Sequence, residues 1–222
     1  MTALPHRACP VVLTAPSGTG KTSIARGLVE GDGPFVFSVS ATTRPPRGTE
    51  RDGVDYHFVS ETRFREMVEA GDLVEWAEVH GHLYGTPRRA MEGPAARGEH
   101  VILDIDVQGA RQIRERVPDA VLIFVFPPSA AALVARLDGR GTEAEAELVR
   151  RLTNARAELA DAASFDYVVV NEDLDEARAA IRAIVAAEDH RPERGLDPEG
   201  EVDRLRKEID ESLSAYTTNT NG

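Results

Sequence analysis

A short segment near the N-terminus combines glycine, amine and hydroxyl side chains in the spacing of a phosphate-binding loop. An apolar run, Val11 to Leu13, precedes the segment, and Ile24 to Val29 can form a helix after it. Glycines let backbone N–H groups point at an anion, and a helix N-terminus adds partial positive charge. The lysine would reach the terminal phosphates of ATP, and the threonine after it would bind Mg²⁺. The predicted ATP-binding residues are Ala15, Pro16, Ser17, Gly18, Thr19, Gly20, Lys21, Thr22 and Ser23.

The first position of this loop departs from the usual pattern, which begins with glycine and here begins with Ala15. A side chain at positive φ costs about 1–2 kcal/mol, so we predict ordinary backbone geometry at Ala15. The alternative is a glycine–serine turn that joins a strand to a helix and binds nothing. The intact sequence Gly20-Lys21-Thr22 after a strand favours the phosphate-binding loop.

Arginines are concentrated at two places that can bind anions. Arg44 and Arg47 lie on a stiff, proline-containing loop and can clamp a phosphate through their guanidinium forks. The alternative is a solvated loop, which the two arginines alone would favour. In the second place, glycines flank Arg140, which follows Arg136, and this segment can close as a flap over an anionic ligand.

Asp104 ends a short apolar run, Val101 to Leu103, that is typical of a buried parallel strand. Ligands of open α/β sheets bind at the carboxyl ends of strands, so Asp104 is placed to orient Mg²⁺ through water. A purely structural acid at a strand end is the alternative.

The elements that must position these residues alternate between strands and helices along the chain, which predicts an α/β fold with a parallel sheet. Ser60 is predicted to cap a helix that runs to Ala70. Thr86 is predicted to cap another helix, with Pro87 at its first position. The predicted strands are 11–13, 34–40, 54–59, 73–79, 101–104, 120–126 and 167–171; the loop 41–50 and the turn 81–85 are predicted to be irregular.

Composition narrows the class of protein. A length of 222 residues with 41% hydrophobic residues suits one α/β domain with inserted subdomains. The net charge of −12 argues against a general nucleic-acid surface. A single cysteine, Cys9, fits a reducing compartment, and no apolar run is long enough for a membrane span or signal peptide. We therefore predict a cytoplasmic protein with no membrane partner, and the sequence leaves a homo-oligomer open.

The ordered set of motifs between Pro10 and Asp189 resembles the guanylate kinase family. A phosphate-binding loop alone occurs in many NTPases, whereas the whole set is highly specific. The motifs are Pro16-Ser17-Gly18-x-Gly20-Lys21-Thr22, Ser38-Val39-Ser40-x-Thr42-Thr43-Arg44-x-Pro46-Arg47, Gly53-x-Asp55-Tyr56-x-Phe58, Glu75-Trp76, Tyr84-Gly85-Thr86, Ile102-Leu103-Asp104-Ile105-Asp106-x-Gln108-Gly109 and Arg136-Leu137-x-x-Arg140-Gly141.

The tail (190–222) falls outside the resemblance, and its apolar residues at steps of three and four predict one amphipathic helix from Glu201 to Ala215. The resemblance implies a P-loop NTPase core (8–39, 90–136 and 148–189), a GMP-binding insert (40–89) and a lid (137–147). It also implies Mg²⁺-dependent transfer of the ATP γ-phosphoryl group to GMP and dGMP. The implied phosphate ligands of GMP are Ser40, Arg44, Arg47, Tyr56 and Tyr84, and the guanine ligands are Glu75, Thr86 and Asp106. The implied residues around ATP are Lys21, Arg136, Arg140 and Arg151 at the transferring phosphates, with Asn171 near the adenine.

Residue chemistry supports the guanine assignment separately from the resemblance. Guanine presents N–H donors beside the O6 acceptor, so Glu75 and Asp106 suit the donors and the Thr86 hydroxyl suits O6. One rival is a binding module without activity, which would have no need of Lys21 or the lid arginines. Another is a kinase for a phosphorylated sugar, which would have no use for the guanine-reading residues.

Overall fold

The computed structural model describes residues 8–79, 81–138, 145–191 and 198–219. Ala8 to Ala186 form one compact unit, and the described residues from Ala187 onward form another. The described strands are β1 (Val11–Thr14), β2 (Phe35–Phe37), β3 (Ala41–Thr42), β4 (His57–Phe58), β5 (Leu73–Val79), β6 (His82–Pro87), β7 (His100–Asp104), β8 (Val121–Phe126) and β9 (Tyr167–Val170). The described α-helices are α1 (Lys21–Glu30), α2 (Glu61–Glu69), α3 (Arg89–Ala95), α4 (Val107–Arg116), α5 (Ala130–Asp138), α6 (Glu145–Leu159), α7 (Leu174–Glu188) and α8 (Pro198–Asn219).

A five-stranded parallel sheet in the order β2-β7-β1-β8-β9 forms the centre of the larger unit. Alternate residues of β1 point to opposite faces, and both faces are buried. Leu13 packs with Ile24 and Ile181 on one side, whereas Val12 packs with Ile113 on the other. Helices therefore cover both faces of the sheet, which confirms the predicted α/β fold with a parallel sheet.

The order of the central strands determines where the candidate site lies. β1 pairs with β7 on one side and with β8 on the other, all in parallel. The carboxyl ends of β1 and β7 therefore meet at one edge of the sheet, where the phosphate-binding loop and Asp104 follow them. Open α/β sheets bind ligands at this kind of edge.

A second, four-stranded sheet in the order β4-β3-β6-β5 is built from residues 41–87. Helix α2 packs on it through Phe64 and Met67, which contact Ala41 and Leu73. The Ser60 hydroxyl accepts a hydrogen bond from the Arg63 N–H at 3.1 Å, as the predicted helix cap requires. Strand β5 spans the residues predicted for it.

Several local predictions in this second sheet were wrong. The loop 41–50 contains the short strand β3, and the predicted strand 54–59 shortens to the two residues of β4. The predicted turn 81–85 is largely strand, because β6 pairs with β5 from His82 onward. Thr86 does not cap a helix: it lies in β6 opposite Glu75 and is fully buried, and α3 begins only at Arg89. Pairing with the preceding strand β5 thus overrides the local proline signal.

The described residues from Ala187 onward include one long helix, α8, which spans 22 residues rather than the 15 predicted. Arg204 pairs with Glu201 and Glu208, one turn away on either side. Val202, Leu205 and Ile209 are exposed on this helix. Among the described helices, none combines the length and apolar character needed to cross a membrane.

Candidate active site

Two glycines shape the loop between β1 and α1. Gly18 has φ 85° and Gly20 has φ 95°, a left-handed conformation that side chains disfavour. The Thr19 N–H donates to the Pro16 carbonyl at 3.1 Å, which closes the turn between them. Gly20 then caps α1, whose first residues are Lys21 and Thr22. The backbone thus takes the tight turn into a helix N-terminus that an anion-binding loop needs.

Lys21, Thr22 and Asp104 form a compact polar cluster at the edge of the central sheet. The Lys21 Nζ lies 2.5 Å from Asp104 Oδ1 and donates to the Ile105 carbonyl at 2.7 Å. The Thr22 hydroxyl donates to Asp104 Oδ2 at 2.6 Å. Side chains from α1 and the end of β7, more than eighty residues apart in sequence, therefore meet at this edge.

The Thr19 carbonyl oxygen accepts hydrogen bonds from two of the predicted ATP-site residues. The Asn171 Nδ2 donates to it at 2.6 Å, and Arg136 Nη1 donates to it at 3.1 Å. Arg136 Nη2 also donates to the Asn171 carbonyl at 3.2 Å. Asn171 is buried, so here its amide fixes the backbone of the phosphate-binding loop.

Helix α6 contacts the same loop through Ser17. The Arg151 Nη2 donates to the Ser17 hydroxyl at 2.9 Å, and the Ser17 N–H hydrogen-bonds to Glu158. Burial raises the pKa of the Glu158 carboxyl, with Lys21 acting in the opposite direction. Arg140 and most of the predicted lid lie outside the described residues.

A cleft of about 270 Å³ connects this cluster to the second sheet. One side carries the phosphate-loop cluster, and the other carries Glu75, Tyr56 and Tyr84 from the segment that builds the second sheet. The lining includes Lys21, Thr22, Ser40, Tyr56, Glu75, Tyr84, Gly85, Asp104 and Asp106.

Arg44 is buried, with 4% of its surface exposed, and is held on several sides. Its Nε donates to the Tyr84 hydroxyl at 3.1 Å, and its two terminal nitrogens donate to the two oxygens of Glu50, each at 2.9 Å. The Tyr56 ring lies 5.3 Å from the guanidinium carbon. The Glu50 pairing raises the pKa of Arg44 and holds the pKa of the Glu50 carboxyl below its usual range. Burial raises the pKa of Tyr56 to about 12.

Arg47 differs from Arg44, because it is exposed. Its backbone N–H donates to Glu50 Oε2 at 2.7 Å. Glu50 therefore organises the loop that carries both arginines, a role that sequence reasoning missed. The signal available was an acid three residues after the second arginine, which is the spacing of a local side-chain-to-backbone hydrogen bond.

Glu75 is buried on β5, with 3% of its surface exposed. Its Oε1 accepts a hydrogen bond from the Thr86 hydroxyl at 2.6 Å. Burial raises the pKa of the Glu75 carboxyl to about 7; the Asp106 charge adds to the rise, and the Thr86 hydrogen bond opposes it. Asp106 caps α4, since its Oδ1 accepts from the Gly109 N–H at 2.9 Å.

Comparison with known proteins agrees with this geometry. A sequence model of the guanylate kinase family matches residues 7–188. The chain belongs to the guanylate kinase family. The resemblance inferred from the motifs is thereby confirmed.

Individual relatives of this guanylate kinase family member match over most of its length. It is 49% identical over 190 residues to the guanylate kinase of Chelativorans sp. (strain BNC1), covering 85% of this chain and 87% of that protein. It is 46% identical over 198 residues to the guanylate kinase of Thermotoga maritima, covering 89% and 94%. The crystal structure of guanylate kinase from Anaplasma phagocytophilum aligns with a TM-score of 0.72 at 35% identity, covering 86% of this chain and 91% of that one.

The structure of this family member brings most of the predicted site residues to two neighbouring places. Lys21, Thr22, Ser40, Tyr56, Glu75, Tyr84, Asp104 and Asp106 line one cleft. Thr86 and Arg44 lie directly behind this lining, through their bonds to Glu75 and Tyr84. Arg136, Arg151 and Asn171 hold the phosphate-binding loop itself. Ala15 is buried at the end of β1.

Proposed function

We propose that this chain transfers the γ-phosphoryl group of ATP to GMP, and also to dGMP, with Mg²⁺ as cofactor. The observation that carries the proposal is the cleft that joins Lys21, Thr22 and Asp104 to the buried carboxylate of Glu75 and the half-buried carboxylate of Asp106. An ATP phosphate chain at the first end would point at a nucleotide held at the second. Such alignment is the main requirement of phosphoryl transfer.

Base selection follows from the hydrogen-bonding capacity of the second end. Ionised Glu75 and Asp106 only accept hydrogen bonds, which suits the N1–H and N2–H₂ donors of guanine. Because the Thr86 hydroxyl has one proton, now donated to Glu75, it must turn from Glu75 to donate to O6. A guanine N–H can replace it on the carboxylate. Adenine would place an acceptor against a carboxylate and leave buried groups unpaired.

The acceptor phosphate needs charge and orientation more than a base. A phosphate monoester with a second pKa near 6 is largely dianionic at pH 7, so its oxygen is already a nucleophile. Tyr56, with its pKa of about 12, stays protonated and can donate to that phosphate. Arg44 is pre-oriented by Glu50 and Tyr84, while exposed Arg47 is placed to move onto the ligand. No general base is required.

The donor end provides the remaining charge. Thr22 and Asp104 offer adjacent hydroxyl and carboxylate oxygens, the ligand type that Mg²⁺ prefers, so these residues fit a site for the ion. When bound, Mg²⁺ supplies positive charge to the β- and γ-phosphate oxygens. Lys21 adds its own charge from the start of α1. We assign Arg136, Arg140 and Arg151 to the transferring phosphates and Asn171 to the adenine side.

The assigned domains complete the proposal. We place the GMP-binding insert at 40–89, the lid at 137–147 and the core in the segments around them, with closure of insert and lid excluding water from the reaction. We also place the protein in the cytoplasm, where its buried thiol, Cys9, would stay reduced.

A panel of acceptors tests the function directly. ADP formation would be followed in a coupled assay with ATP and Mg²⁺, comparing GMP, dGMP, AMP, CMP and UMP. We expect turnover with the two guanine nucleotides and at least about 10³-fold lower kcat/KM with AMP, because an acceptor on adenine would face the buried Glu75 carboxylate and leave both groups unpaired. Comparable turnover of AMP would contradict the base assignment. Binding of GMP without any turnover would favour the inactive binding module.

GMP affinity should depend on pH through Glu75. The ionised carboxylate binds guanine and its pKa is about 7, so its ionised fraction falls about tenfold per pH unit below that value. We expect calorimetric GMP affinity to fall about fivefold between pH 7 and pH 6 from this group, because half of the carboxyl is ionised at pH 7.

The GMP phosphate titrates in the same range, so a reference variant is needed. In the Glu75→Gln variant the carboxyl is gone but the GMP phosphate still titrates. The pH dependence of GMP affinity in this variant therefore measures the contribution of the phosphate alone. Identical pH profiles for Glu75→Gln and the unaltered chain would contradict the assignment.

A further inference from the structure

Gly109, in the first turn of α4, lies between the two carboxylates assigned to guanine. Its N–H donates to Asp106 Oδ1 at 2.9 Å. On its other side, a Cβ added to Gly109 would lie 2.6 Å from Glu75 Oε2 and 3.2 Å from Glu75 Cδ. The backbone N–H of Gly109 therefore fixes Asp106. Because Gly109 has no side chain, the Glu75 carboxylate can lie directly beside it.

The backbone conformation of Gly109 does not require glycine. The residue lies inside helix α4, and it is not among the described glycines with positive φ. Glycine is less favourable than alanine within a helix. The space beside Gly109 is instead occupied by the Glu75 carboxylate, so this directly adjacent group explains the residue type.

Glu75 has little freedom to take another position. Its other oxygen is held by the Thr86 hydroxyl at 2.6 Å, and its side chain is almost fully buried. The carboxylate is thus enclosed between β6 on one side and the first turn of α4 on the other. Any atom added at Gly109 must displace the carboxylate, because real Cβ contacts shorter than 3.0 Å essentially never occur.

We propose that Gly109 is a positioning residue that sets guanine selectivity by fixing where the Glu75 carboxylate lies relative to Asp106. The inference rests on the proposed function, since it assumes that these carboxylates bind guanine. It makes a distinct claim: the selectivity depends on a position that offers no side chain to the ligand.

Gly109→Ala separates this role from a role in folding. We expect KM for GMP to rise about tenfold or more, as for a lost hydrogen bond to a charged group. We expect kcat at saturating GMP and KM for ATP to stay within about twofold, because the carboxylate end moves more easily than the helix backbone. The thermal unfolding midpoint should not fall, because alanine favours the helix.

Gly93→Ala is the matched control. Gly93 also lies inside a described helix, α3, and a Cβ there would lie 3.8 Å from the Arg97 Nη1, an ordinary contact. This variant should keep KM for GMP within about twofold, so a general effect of replacing helical glycines would show in both variants. Equal KM changes in the two variants would overturn the inference, as would a lower unfolding midpoint for Gly109→Ala.

Rescue by a shorter acid provides the decisive measurement. Glu75→Asp alone should weaken GMP binding, whereas in the Gly109→Ala background it should lower KM relative to Gly109→Ala, because the shorter side chain leaves room for the methyl group. Such non-additivity identifies direct coupling between the two positions. Additive effects would overturn the inference.

The same measurements separate the failure of the inference from that of the proposed function. Calorimetric GMP binding and turnover of the unaltered chain test the function first. If both are absent, the proposed function is wrong and the inference falls with it. If both are present and Gly109→Ala binds GMP normally, the inference alone is wrong.

Discussion

Lys21→Ala should abolish turnover while leaving GMP binding nearly intact. The Lys21 ammonium lies at the end of the cleft assigned to ATP, 2.5 Å from Asp104 Oδ1, and it faces the position proposed for the transferring phosphates. Loss of a charge that stabilises phosphoryl transfer costs about 10³-fold or more in rate. We expect kcat to fall by at least that factor and GMP affinity, measured by calorimetry, to change by less than about threefold. Measurable activity at one tenth of the original kcat would refute the role of Lys21.

The composition of the chain supplies a matched control for this experiment. Lysine occurs only at positions 21 and 207, whereas the other 24 of the 26 basic residues are arginines. Lys207 lies on α8, far along the chain from the cleft residues, and is exposed. Lys207→Ala should therefore keep both kcat and GMP affinity. A loss of rate in both variants would indicate an effect of net charge rather than of the phosphate-binding loop.

This use of lysine also bears on mechanism. A chain that places arginine at nearly every basic position keeps lysine at the start of α1. Arginine is larger and presents a planar fork, whereas lysine is a compact charge on a flexible stem. The narrow space between Asp104 and the Ile105 carbonyl suits the compact group.

The central sheet and the phosphate-binding loop were predictable because their signals are local. Val101 to Leu103 and Val121 to Val125 are buried on both faces of the sheet. A continuous apolar run of this kind indicates a parallel strand from the sequence alone. Gly18 and Gly20 before Lys21 indicate a turn, and this turn depends only on residues that are close in sequence. Asp104 follows from the same logic, since it ends a strand at the ligand edge.

The second sheet was less predictable because its strands depend on partners distant in sequence. Ala41 and Thr42 become a strand by pairing with Tyr84 and Gly85, more than forty residues later. No local pattern records this pairing, and β propensity is weak against it. Thr86, expected to cap a helix, instead pairs with Glu75 in the hairpin of β5 and β6, where strand pairing outweighs the Thr-Pro cap signal.

The supporting residues of the site were missed for a similar reason. Glu50 carries only a weak local signal, its spacing from Arg47, and Gly109 belongs to a motif that gives it no specific role. Their roles come from what they face: Arg44 for the first and Glu75 for the second. The residues proposed to touch nucleotide could be identified from motifs, whereas the residues that orient them required the contacts.

Glu75→Gln should weaken GMP binding and stabilise the fold. The amide replaces an acceptor by N–H donors that face the donors of guanine, so we expect GMP affinity to fall about 100-fold or more, with KM for ATP within about twofold. The buried carboxyl has its pKa raised from 4.5 to about 7, so the folded state holds its proton more strongly than the unfolded state does. Ionising Glu75 therefore destabilises the fold increasingly between pH 4.5 and 7, and fully above pH 7.

The size of this destabilisation sets the expected gain. The shift corresponds to about 3 kcal/mol at 1.36 kcal/mol per unit of pKa. Glutamine keeps an oxygen that can accept the Thr86 proton and carries no charge, so denaturant unfolding at pH 8 should show Glu75→Gln more stable by up to about 3 kcal/mol. At pH 4.5 the two proteins should have nearly equal stability, because the carboxyl is protonated in the folded state.

Glu78→Gln is the control for both measurements, because Glu78 lies on the same strand and is exposed. It should change neither GMP affinity nor the pH dependence of stability by a measurable amount. Equal losses of ATP and GMP affinity in Glu75→Gln would refute its role in reading the base. A stability difference from the unaltered chain that does not vary with pH would show that the carboxyl is not held in its protonated form. If both expected effects appear, the guanine site keeps a charge that the fold alone would disfavour, and ligand recognition explains why it is there.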